Sequence, residues 1–182
     1  MIPKVLVVGC GRIAGWHCRA IKSQKKIKLL GVCDLDFDKA KNYGKQFNVP
    51  YFTNYRKMIE DLDEANTVAI ITPSGMHFEH SYEILKKYKK NIIVEKPTFM
   101  KPEHVVKMYK LASKLKKKIY PVFQNRYNLA VQRLKTAIKK NELGNIYLAS
   151  VRMRWCRPQR YYNLSKWRGT FSHDGGALTN QG

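Results

Sequence analysis

The chain has 182 residues, of which 35 are Lys or Arg and 13 are Asp or Glu, so its formal net charge is +22 at neutral pH. Hydrophobic residues make up 44% and aromatic residues 12%, which excludes a disordered chain and permits a folded core. The charge favours anionic partners, but no block of basic and aromatic residues resembles a nucleic-acid-binding module, so we expect no nucleic-acid partner.

Apolar periodicity alternates between strand and helix over the first two thirds of the chain. Continuous β-rich runs predict six strands, at residues 5–8, 27–33, 51–52, 67–72, 91–94 and 119–123. Amphipathic stripes predict the intervening helices, and the first stripe consists of Ile13, Ala14, His17, Ala20 and Ile21. Such alternation specifies a parallel sheet with helices on both faces. We therefore predict an α/β fold, a doubly wound parallel (Rossmann) sheet, over residues 1–123.

Residues 124–182 have a different pattern. They begin with one more helix, over residues 130–138, which Gly144 follows. Residues 146–155 then alternate between two faces, which predicts a long strand of an antiparallel sheet. Because no complete partner strand follows, we predict the start of a truncated α+β substrate domain over residues 124–182.

The cysteines and the apolar runs predict a location outside membranes. Cys10, Cys18, Cys33 and Cys156 show no C-x-x-C spacing and no disulfide-scaffold density, which is typical of a reduced, intracellular chain. The apolar run at residues 5–8 is too short for a signal sequence, and no later run approaches the roughly 20 apolar residues of a membrane span. We therefore expect a cytoplasmic protein without a membrane partner.

A glycine-rich motif follows the first strand directly. Gly9, Gly11, Arg12 and Ile13 belong to a match to G-x-G-x-x-G/A, a loop whose backbone and following helix hold a pyrophosphate. Asp34 ends the second strand 23 residues after the second glycine, where an acid accepts hydrogen bonds from a ribose hydroxyl. Its carboxylate would repel a 2′-phosphate, so the pattern predicts NAD rather than NADP as the cofactor.

Other chemistries have no motif in this sequence. It contains no G-x-x-x-x-G-K-[ST] phosphate loop, no G-x-S-x-G nucleophile turn and no H-E-x-x-H zinc motif. His77 and His80 have the spacing of one helix face, but no third ligand accompanies them, so we expect no metal site. We interpret His17 as a packed helix residue rather than a ligand.

Several motifs in the right order make the chain resemble the Gfo/Idh/MocA oxidoreductases, named for glucose–fructose oxidoreductase and inositol dehydrogenase. The matching motifs are the glycine loop at residues 9–14, Asp34, Thr72-Pro73 with His77, Glu95-Lys96-Pro97, and residues 174–178. The resemblance implies that a lysine matching Lys96 lies beside the nicotinamide and takes part in proton transfer, with Asn180 at a second catalytic position. The cofactor contacts that it implies beyond the glycine loop come from Thr72, Pro73, His77, Glu95, Lys96 and Gln124.

The last third of the chain is similar to one subgroup, the UDP-N-acetyl-2-amino-2-deoxyglucuronate 3-dehydrogenases of surface-polysaccharide biosynthesis. This similarity implies oxidation of the 3-hydroxyl of a UDP-N-acetylhexosaminuronate with NAD, a homo-oligomer, and coupling to a pyridoxal-phosphate aminotransferase. Arginines suit the diphosphate and carboxylate of such a substrate, and aromatic side chains suit its rings. The candidate substrate-binding residues are Lys96, Asn125, Arg126, Arg154, Arg157, Tyr161, Tyr162, Trp167 and Arg168.

The resemblance is incomplete at one point. The family pattern is Asp-x-x-x-His, whereas this chain has Asn180 at the first position and the histidine would fall at position 184. We therefore expect the 182-residue chain to bind NAD weakly or moderately, with little or no dehydrogenase turnover. Two alternatives stay open, a dehydrogenase of another sugar or cyclitol and a non-catalytic dinucleotide-binding remnant.

Overall fold

A single parallel sheet organises the N-terminal part of the chain. The computed structural model describes residues 2–180, without the side chains of Ala177 and Leu178. The strands are β1 (Lys4–Val8), β2 (Lys28–Cys33), β3 (Tyr51–Phe52), β4 (Thr67–Ile70), β5 (Asn91–Val94) and β6 (Ile119–Pro121). They pair in parallel in the order β3-β2-β1-β4-β5-β6, which is the doubly wound order and confirms the predicted fold class.

Helices connect the strands and continue the chain beyond the sheet. The helices are α1 (Ala14–Lys22), α2 (Phe37–Phe47), α3 (Tyr55–Asp61), α4 (His77–Glu83), α5 (Pro102–Lys114), α6 (Leu129–Lys139), α7 (Gln159–Asn163), α8 (Phe171–Asp174) and α9 (Gly176–Asn180). A 3₁₀ turn, Ser74–Met76, precedes α4, and a π-helical turn, Ile84–Tyr88, follows it. Side chains of Asp36 and Asn54 cap α2 and α3 by accepting hydrogen bonds from first-turn amides.

The core lies on both faces of the sheet, as continuous apolar strands require. In β1, Leu6 and Val8 pack into one cluster with β4, β5, α4 and α5. Val5 and Val7 pack into a second cluster with α1 and α2 on the opposite face. Because side chains alternate between the two faces of a strand, the short strand β1 contributes to both core clusters.

The first helix presents a different stripe from the one predicted. Its buried residues are Ala14, Gly15, Cys18 and Ile21. Ile13 precedes the helix and is exposed, and Ala20 is exposed as well. The predicted stripe was wrong in these members, because the helix begins at Ala14 and small residues face the sheet.

The long strand predicted over residues 146–155 was wrong. These residues have no regular secondary structure, and Tyr147, Leu148 and Val151 are almost fully exposed. A strand requires a partner for its backbone groups. Within residues 2–180, no segment pairs with this one.

The chain divides into two compact units. One consists of residues 2–122 together with residues 169–180, and the other is Phe123–Arg168. In the first unit, α8 packs against the Ser74–Met76 turn, so a segment near the end of the chain joins the dinucleotide-binding fold. The division at residue 123 stays a prediction. Gln181 and Gly182, the last two residues of the segment that resembles the subgroup, lie outside the described residues.

The second unit is basic and largely exposed. It contains eleven Lys or Arg residues and one acidic residue, Glu142. On α6, Ala137 is buried, whereas Leu134 and Ile138 are exposed. In the part of the chain that the structure describes, no helix is both long and apolar enough to cross a bilayer.

Candidate cofactor and catalytic site

The sheet order determines where a ligand can be held. The strand order reverses between β1 and β4, so the segments that leave the carboxyl ends of β1, β2, β4 and β5 meet at one edge. A crevice forms at such a reversal because the two connections run to opposite faces of the sheet. The predicted cofactor residues before position 100 all follow these four strands.

The glycine loop after β1 lies against the end of β4. Gly9 has φ 101°, and a Cβ there would lie 2.6 Å from the carbonyl oxygen of Ile71. Only glycine fits this position, and the Gly9 amide donates to the Cys33 carbonyl at 2.7 Å. Apart from its own chain neighbours, no atom of the described residues lies within 4 Å of a Cβ position at Gly11, whose carbonyl accepts a 2.9 Å hydrogen bond from the Tyr43 hydroxyl.

The first turn of α1 can accept an anion. Ile13 occupies the N-cap position without a side-chain hydrogen bond to the helix. The amides at such a helix start carry a partial positive charge that favours phosphate oxygens. Arg12 and Ile13 are exposed there, while Ala14 is fully buried and lets helix and sheet approach.

Asp34 lies at the end of β2, beside the glycine loop. Its Oδ2 accepts from the Cys10 amide at 2.7 Å, and its Oδ1 accepts from the Asp36 amide at 2.9 Å. These bonds fix the carboxylate between the loop and the start of α2. The side chain remains partly exposed, so its remaining lone pairs can accept hydrogen bonds from a ribose.

Two histidines on α4 hold Thr72, the residue that follows β4 at this edge. His80 Nδ1 lies 3.1 Å from Thr72 Oγ1, and His77 Nε2 lies 2.9 Å from the Thr72 carbonyl. His77 Nδ1 is also 2.8 Å from the Pro97 carbonyl. Because His77 is only 1% exposed, any role in cofactor binding must be indirect, through Thr72 and the residues after β5. Pro73 is partly exposed beside them.

Glu95 joins the end of β5 to α1. Its Oε1 lies 2.7 Å from His17 Nε2, and its Oε2 accepts from the Lys96 amide at 3.1 Å. Burial raises the pKa of Glu95, but the hydrogen bonds from His17 and Lys96 outweigh it and lower the pKa overall. His17 therefore packs on the helix as predicted and also restrains the strand end that carries Lys96.

Lys96 projects from the end of β5 to the last described helix. Its Nζ donates to the main-chain oxygen of Asn180 at 2.6 Å and to Asn180 Oδ1 at 2.9 Å. Asn180 Nδ2 donates to Asp174, whose other oxygen accepts from the Gly169 amide at 2.7 Å. Lys96 is partly exposed, whereas Asp174 and Asn180 are buried. Both predicted catalytic residues are therefore in contact.

The other candidates lie in the second unit. Gln124, Asn125 and Arg126 form an exposed 3₁₀ turn, Gln124–Tyr127. Arg154 is exposed in the irregular segment that follows α6. The role of these four residues as cofactor or substrate contacts stays a prediction.

Arginine and aromatic side chains alternate in a stack within that second unit. The Arg157 guanidinium lies 4.0 Å from the Trp155 ring centre and 4.8 Å from that of Tyr161. Arg168 lies 4.6 Å from the Tyr161 ring centre and 4.7 Å from that of Trp167. Arg168 also donates to the Tyr161 hydroxyl at 2.6 Å. Stacking fixes the plane of each guanidinium, and a planar guanidinium recognises phosphate and carboxylate through its edge.

Tyr162 meets Tyr161 edge to face, at 5.2 Å between ring centres, so it borders the same stack. Four of the predicted substrate residues, Arg157, Tyr161, Trp167 and Arg168, thus form one cluster, with Tyr162 at its side. The composition of the tail and the family resemblance led to this prediction, and the structure shows the contacts that hold the cluster.

The residues of the first unit fit NAD. The space beside Gly11 and the uncapped start of α1 suit a pyrophosphate, and the Asp34 carboxylate suits a ribose diol. A 2′-phosphate would face that carboxylate. Among residues 2–180, no group of three His, Cys, Asp or Glu side chains has the arrangement of a metal site.

Three residues that hold the site were not among the predicted site residues. Asp174 belongs to the matching motif at residues 174–178, but the motif does not indicate that its carboxylate binds Asn180. Tyr43 reaches the glycine loop through its hydroxyl alone, and no motif marks it. His80 was considered only as a metal ligand together with His77. Their spacing on one helix face was the available signal, and both rings bind Thr72.

Comparison with known families also indicates an NAD-binding oxidoreductase. The model of the family described as "Oxidoreductase family, NAD-binding Rossmann fold" matches residues 3–123. Glucose-6-phosphate 3-dehydrogenase of Bacillus subtilis (strain 168) is 32% identical over 145 residues, which are 80% of this chain and 40% of that protein.

Solved structures extend the likeness through the second unit. The WlbA dehydrogenase from Chromobacterium violaceum, in complex with NADH and UDP-GlcNAcA, is 37% identical, with a TM-score of 0.92 over 98% of this chain and 52% of that one. The WlbA dehydrogenase from Bordetella pertussis, with the same ligands, is 30% identical, with a TM-score of 0.93 over 100% of this chain and 55% of that one. The chain thus spans about half the length of these structures. It belongs to the Gfo/Idh/MocA family of NAD-binding, Rossmann-fold oxidoreductases.

Proposed function

We propose that this protein is an NAD-dependent dehydrogenase that oxidises the 3-hydroxyl of a UDP-N-acetylhexosaminuronate. The observation that carries the proposal is the position of Lys96, which follows β5 at the cofactor edge with its Nζ bound to Asn180. The likeness to two WlbA dehydrogenases that hold NADH and UDP-GlcNAcA supports the substrate.

The hydrogen bonds of Lys96 suit a proton acceptor. A neutral amine has two N–H groups and one lone pair. Asn180 accepts both N–H groups through its main-chain and side-chain oxygens, which leaves the lone pair for a substrate hydroxyl. NAD, when bound, would supply the acceptor for the hydride of the carbon that carries this hydroxyl. Lys96 takes the hydroxyl proton, so that the alcohol loses two electrons and two hydrogens and becomes a ketone.

The basic second unit supports an anionic substrate. The Arg157 and Arg168 guanidiniums are held flat by aromatic rings, and a guanidinium binds a phosphate or a carboxylate through its edge. We assign the diphosphate and the uronate to this stack, with Arg154 as a further candidate. A 3-keto product is an acceptor for an aminotransferase, which is the partner that we predict together with a homo-oligomer.

The first test measures substrate-dependent NADH formation with the protein expressed from its complete coding sequence. UDP-N-acetylglucosaminuronate, glucose 6-phosphate, free sugars and inositols are compared at saturating NAD. We expect the highest kcat/KM for the UDP-sugar. A preference for glucose 6-phosphate would instead favour the other substrate that the comparisons support, because a relative with that activity is 32% identical.

The second test concerns Lys96. The change Lys96→Gln removes the proton acceptor, so kcat should fall by about 100-fold or more while the Kd of NAD changes little. Lys101→Gln, at an exposed lysine that precedes α5, is the matched control and should behave as the wild type. An unchanged kcat in Lys96→Gln would refute the assigned role of Lys96.

A further inference from the structure

The side chain of Asn180 lies between a carboxylate and an amine. Its Nδ2 donates to Asp174 Oδ1, and its Oδ1 accepts from Lys96 Nζ at 2.9 Å. Asp174 is 5% exposed and Asn180 is 7% exposed, so little water competes for either contact. The three residues form one continuous hydrogen-bonded chain in the first unit.

The chemistry of the two partners selects one orientation of the amide. A carboxylate only accepts hydrogen bonds, and the Lys96 amine donates its N–H groups to Asn180. The amide of Asn180 satisfies both partners when Nδ2 faces Asp174 and Oδ1 faces Lys96. The opposite orientation would direct N–H groups at the lysine and an oxygen at the carboxylate.

Asp174 is itself held in place by hydrogen bonds, so that it can fix the orientation of the Asn180 amide. Its Oδ2 accepts from the Gly169 amide at 2.7 Å, and its own amide donates to the Thr170 carbonyl at 2.9 Å. These bonds close the short helix α8 around the carboxylate. Neither of these two bonds involves Lys96.

We propose that Asp174 is a positioning residue that acts through Asn180 to direct the amine of Lys96 at the substrate hydroxyl. This inference rests on the proposed function, because Lys96 is the proposed proton acceptor. Without the Asp174 carboxylate the Asn180 amide loses its orientation, and the N–H group of Lys96 that donates to Asn180 Oδ1 loses its acceptor, while the main-chain oxygen of Asn180 still accepts the other.

Exchange of the two side chains gives a sharp test. In Asp174→Asn, the Asn180 amide loses its anionic acceptor. In Asn180→Asp, two carboxylates come into contact and repel each other. The double variant Asp174→Asn/Asn180→Asp preserves every hydrogen bond. The amide introduced at position 174 accepts from the Gly169 amide and donates to the carboxylate introduced at position 180, which accepts from Lys96.

The variants are made in the protein expressed from its complete coding sequence and compared in three measurements. These are kcat with the UDP-sugar, the Kd of NAD, and the rate of acylation of Lys96 by an amine reagent, read by mass spectrometry of its peptide. We expect each single variant to lower kcat roughly tenfold or more, with little change in the Kd of NAD. Acylation of Lys96 should become faster by a similar factor in Asp174→Asn, and slower in Asn180→Asp, because the carboxylate introduced at position 180 stabilises the protonated amine. The double variant should return kcat to within about threefold of the wild type.

The outcomes separate this inference from the proposed function. Ser172→Ala, on the same helix, is the control for local disturbance and should match the wild type. If Asp174→Asn leaves kcat and acylation unchanged, or if the double variant is no better than the worse single variant, the inference is wrong. If no UDP-sugar is oxidised but Asp174→Asn still speeds the acylation of Lys96, the proposed substrate is wrong and the positioning role of Asp174 stands.

Failure of folding is also informative. If Asp174→Asn does not fold, Asp174→Ser keeps an acceptor for the Gly169 amide and removes the one for Asn180, so Lys96 acylation should still rise. If both single changes unfold the protein while the double variant folds and works, the exchange is confirmed. A double variant that does not fold would overturn the inference, because it retains each contact.

Discussion

Asp34 has two tasks at the residue scale, because the carboxylate that we predict to bind a ribose also accepts hydrogen bonds from the amides of Cys10 and Asp36. Its position after β2 follows from the sequence spacing, and the structure adds the two backbone partners. A carboxylate held by two amides is fixed before a ligand arrives. We therefore expect it to select a free 2′-hydroxyl over a 2′-phosphate without rearrangement.

We expect Asp34→Ala to raise the Kd of NAD by about tenfold to a hundredfold, because a hydrogen bond to a charged acceptor is lost. The Kd of NADP should change less, because the repulsion of its 2′-phosphate is removed at the same time. Isothermal titration with both cofactors measures the ratio. Asp38→Ala, at an exposed carboxylate on α2, is the control and should leave both values unchanged. An equal loss for NAD and NADP would argue against discrimination by Asp34.

A second residue-scale pair joins α3 to α4. Arg56 donates twice to Glu83, at 2.6 and 2.8 Å, and the Tyr55 hydroxyl donates to Glu83 at 2.7 Å. The hydrogen bonds from Arg56 outweigh burial and, together with Tyr55, lower the pKa of Glu83 to about 2 from an ordinary 4.5. Because the pKa is lower in the folded state, this stabilisation is present above about pH 4.5 and is lost as the pH falls towards 2.

Glu83→Gln should therefore lower the free energy of unfolding by about 1 kcal/mol at pH 7, since the pair lies partly at the surface. The difference from the wild type should shrink as the pH is lowered from 4.5 towards 2. Urea unfolding at several pH values measures it, with Glu79→Gln, at another position on α4, as the control. A pH-independent difference would show that packing, and not charge, is responsible.

At the scale of elements, α4 connects the segments that follow β4 and β5 through hydrogen bonds of its two histidines. His77 and His80 reach Thr72, and His77 also reaches the Pro97 carbonyl beside Lys96. Burial lowers the pKa of both histidines; for His77 the hydrogen bonds to Pro97 and Thr72 oppose this only in part. The folded chain therefore binds protons on these two imidazoles less readily than the unfolded chain does.

The lowered pKa values of His77 and His80 predict how the free energy of unfolding depends on pH. The unfolded histidines bind protons near their ordinary pKa of 6.5, before the folded ones do. The free energy of unfolding should then fall as the pH drops below about 6.5, until the folded pKa values are reached. His80→Gln retains a partner for Thr72 but cannot titrate, so it should lose less stability than the wild type between pH 8 and pH 5 in urea unfolding. His173→Gln, at an exposed position, should follow the wild-type pH dependence.

At the scale of the whole molecule, the two units differ in how their residues are held. The predicted cofactor residues except Gln124 lie in the first unit, around a sheet that is buried on both faces. Most of the predicted substrate residues lie in Phe123–Arg168, where almost all side chains are at least partly exposed. Cofactor binding should therefore depend less on further contacts than substrate binding does.

We accordingly expect the 182-residue chain, purified by itself, to bind NAD with a measurable Kd and to give little or no NADH with a UDP-sugar. Titration calorimetry gives the first quantity, and absorbance at the NADH band gives the second. The Asp34→Ala variant is the control that binding occurs at the predicted site. Substrate-dependent NADH formation by the 182-residue chain would contradict the expectation.

The local sequence determined the elements of this protein and the first half of its site. Apolar runs such as β1 encode strands because alternate side chains must enter two cores, and the glycine loop and Asp34 follow from the spacing along one βαβ unit. Lys96 was found through a motif that lies at a strand end. Each of these signals lies within a short segment.

Only the tertiary structure decided how these segments meet. His17 and Glu95 are 78 positions apart, and Lys96 and Asn180 are 84 apart, so no local pattern records either contact. The predicted strand over residues 146–155 failed for the same reason, because a strand exists only with a partner for its backbone. The sequence alone thus indicated the acid, the glycines and the lysine. Only the fold showed that Asp174 binds Asn180 and that His77 and His80 bind Thr72, since hydrogen bonds depend on proximity in space.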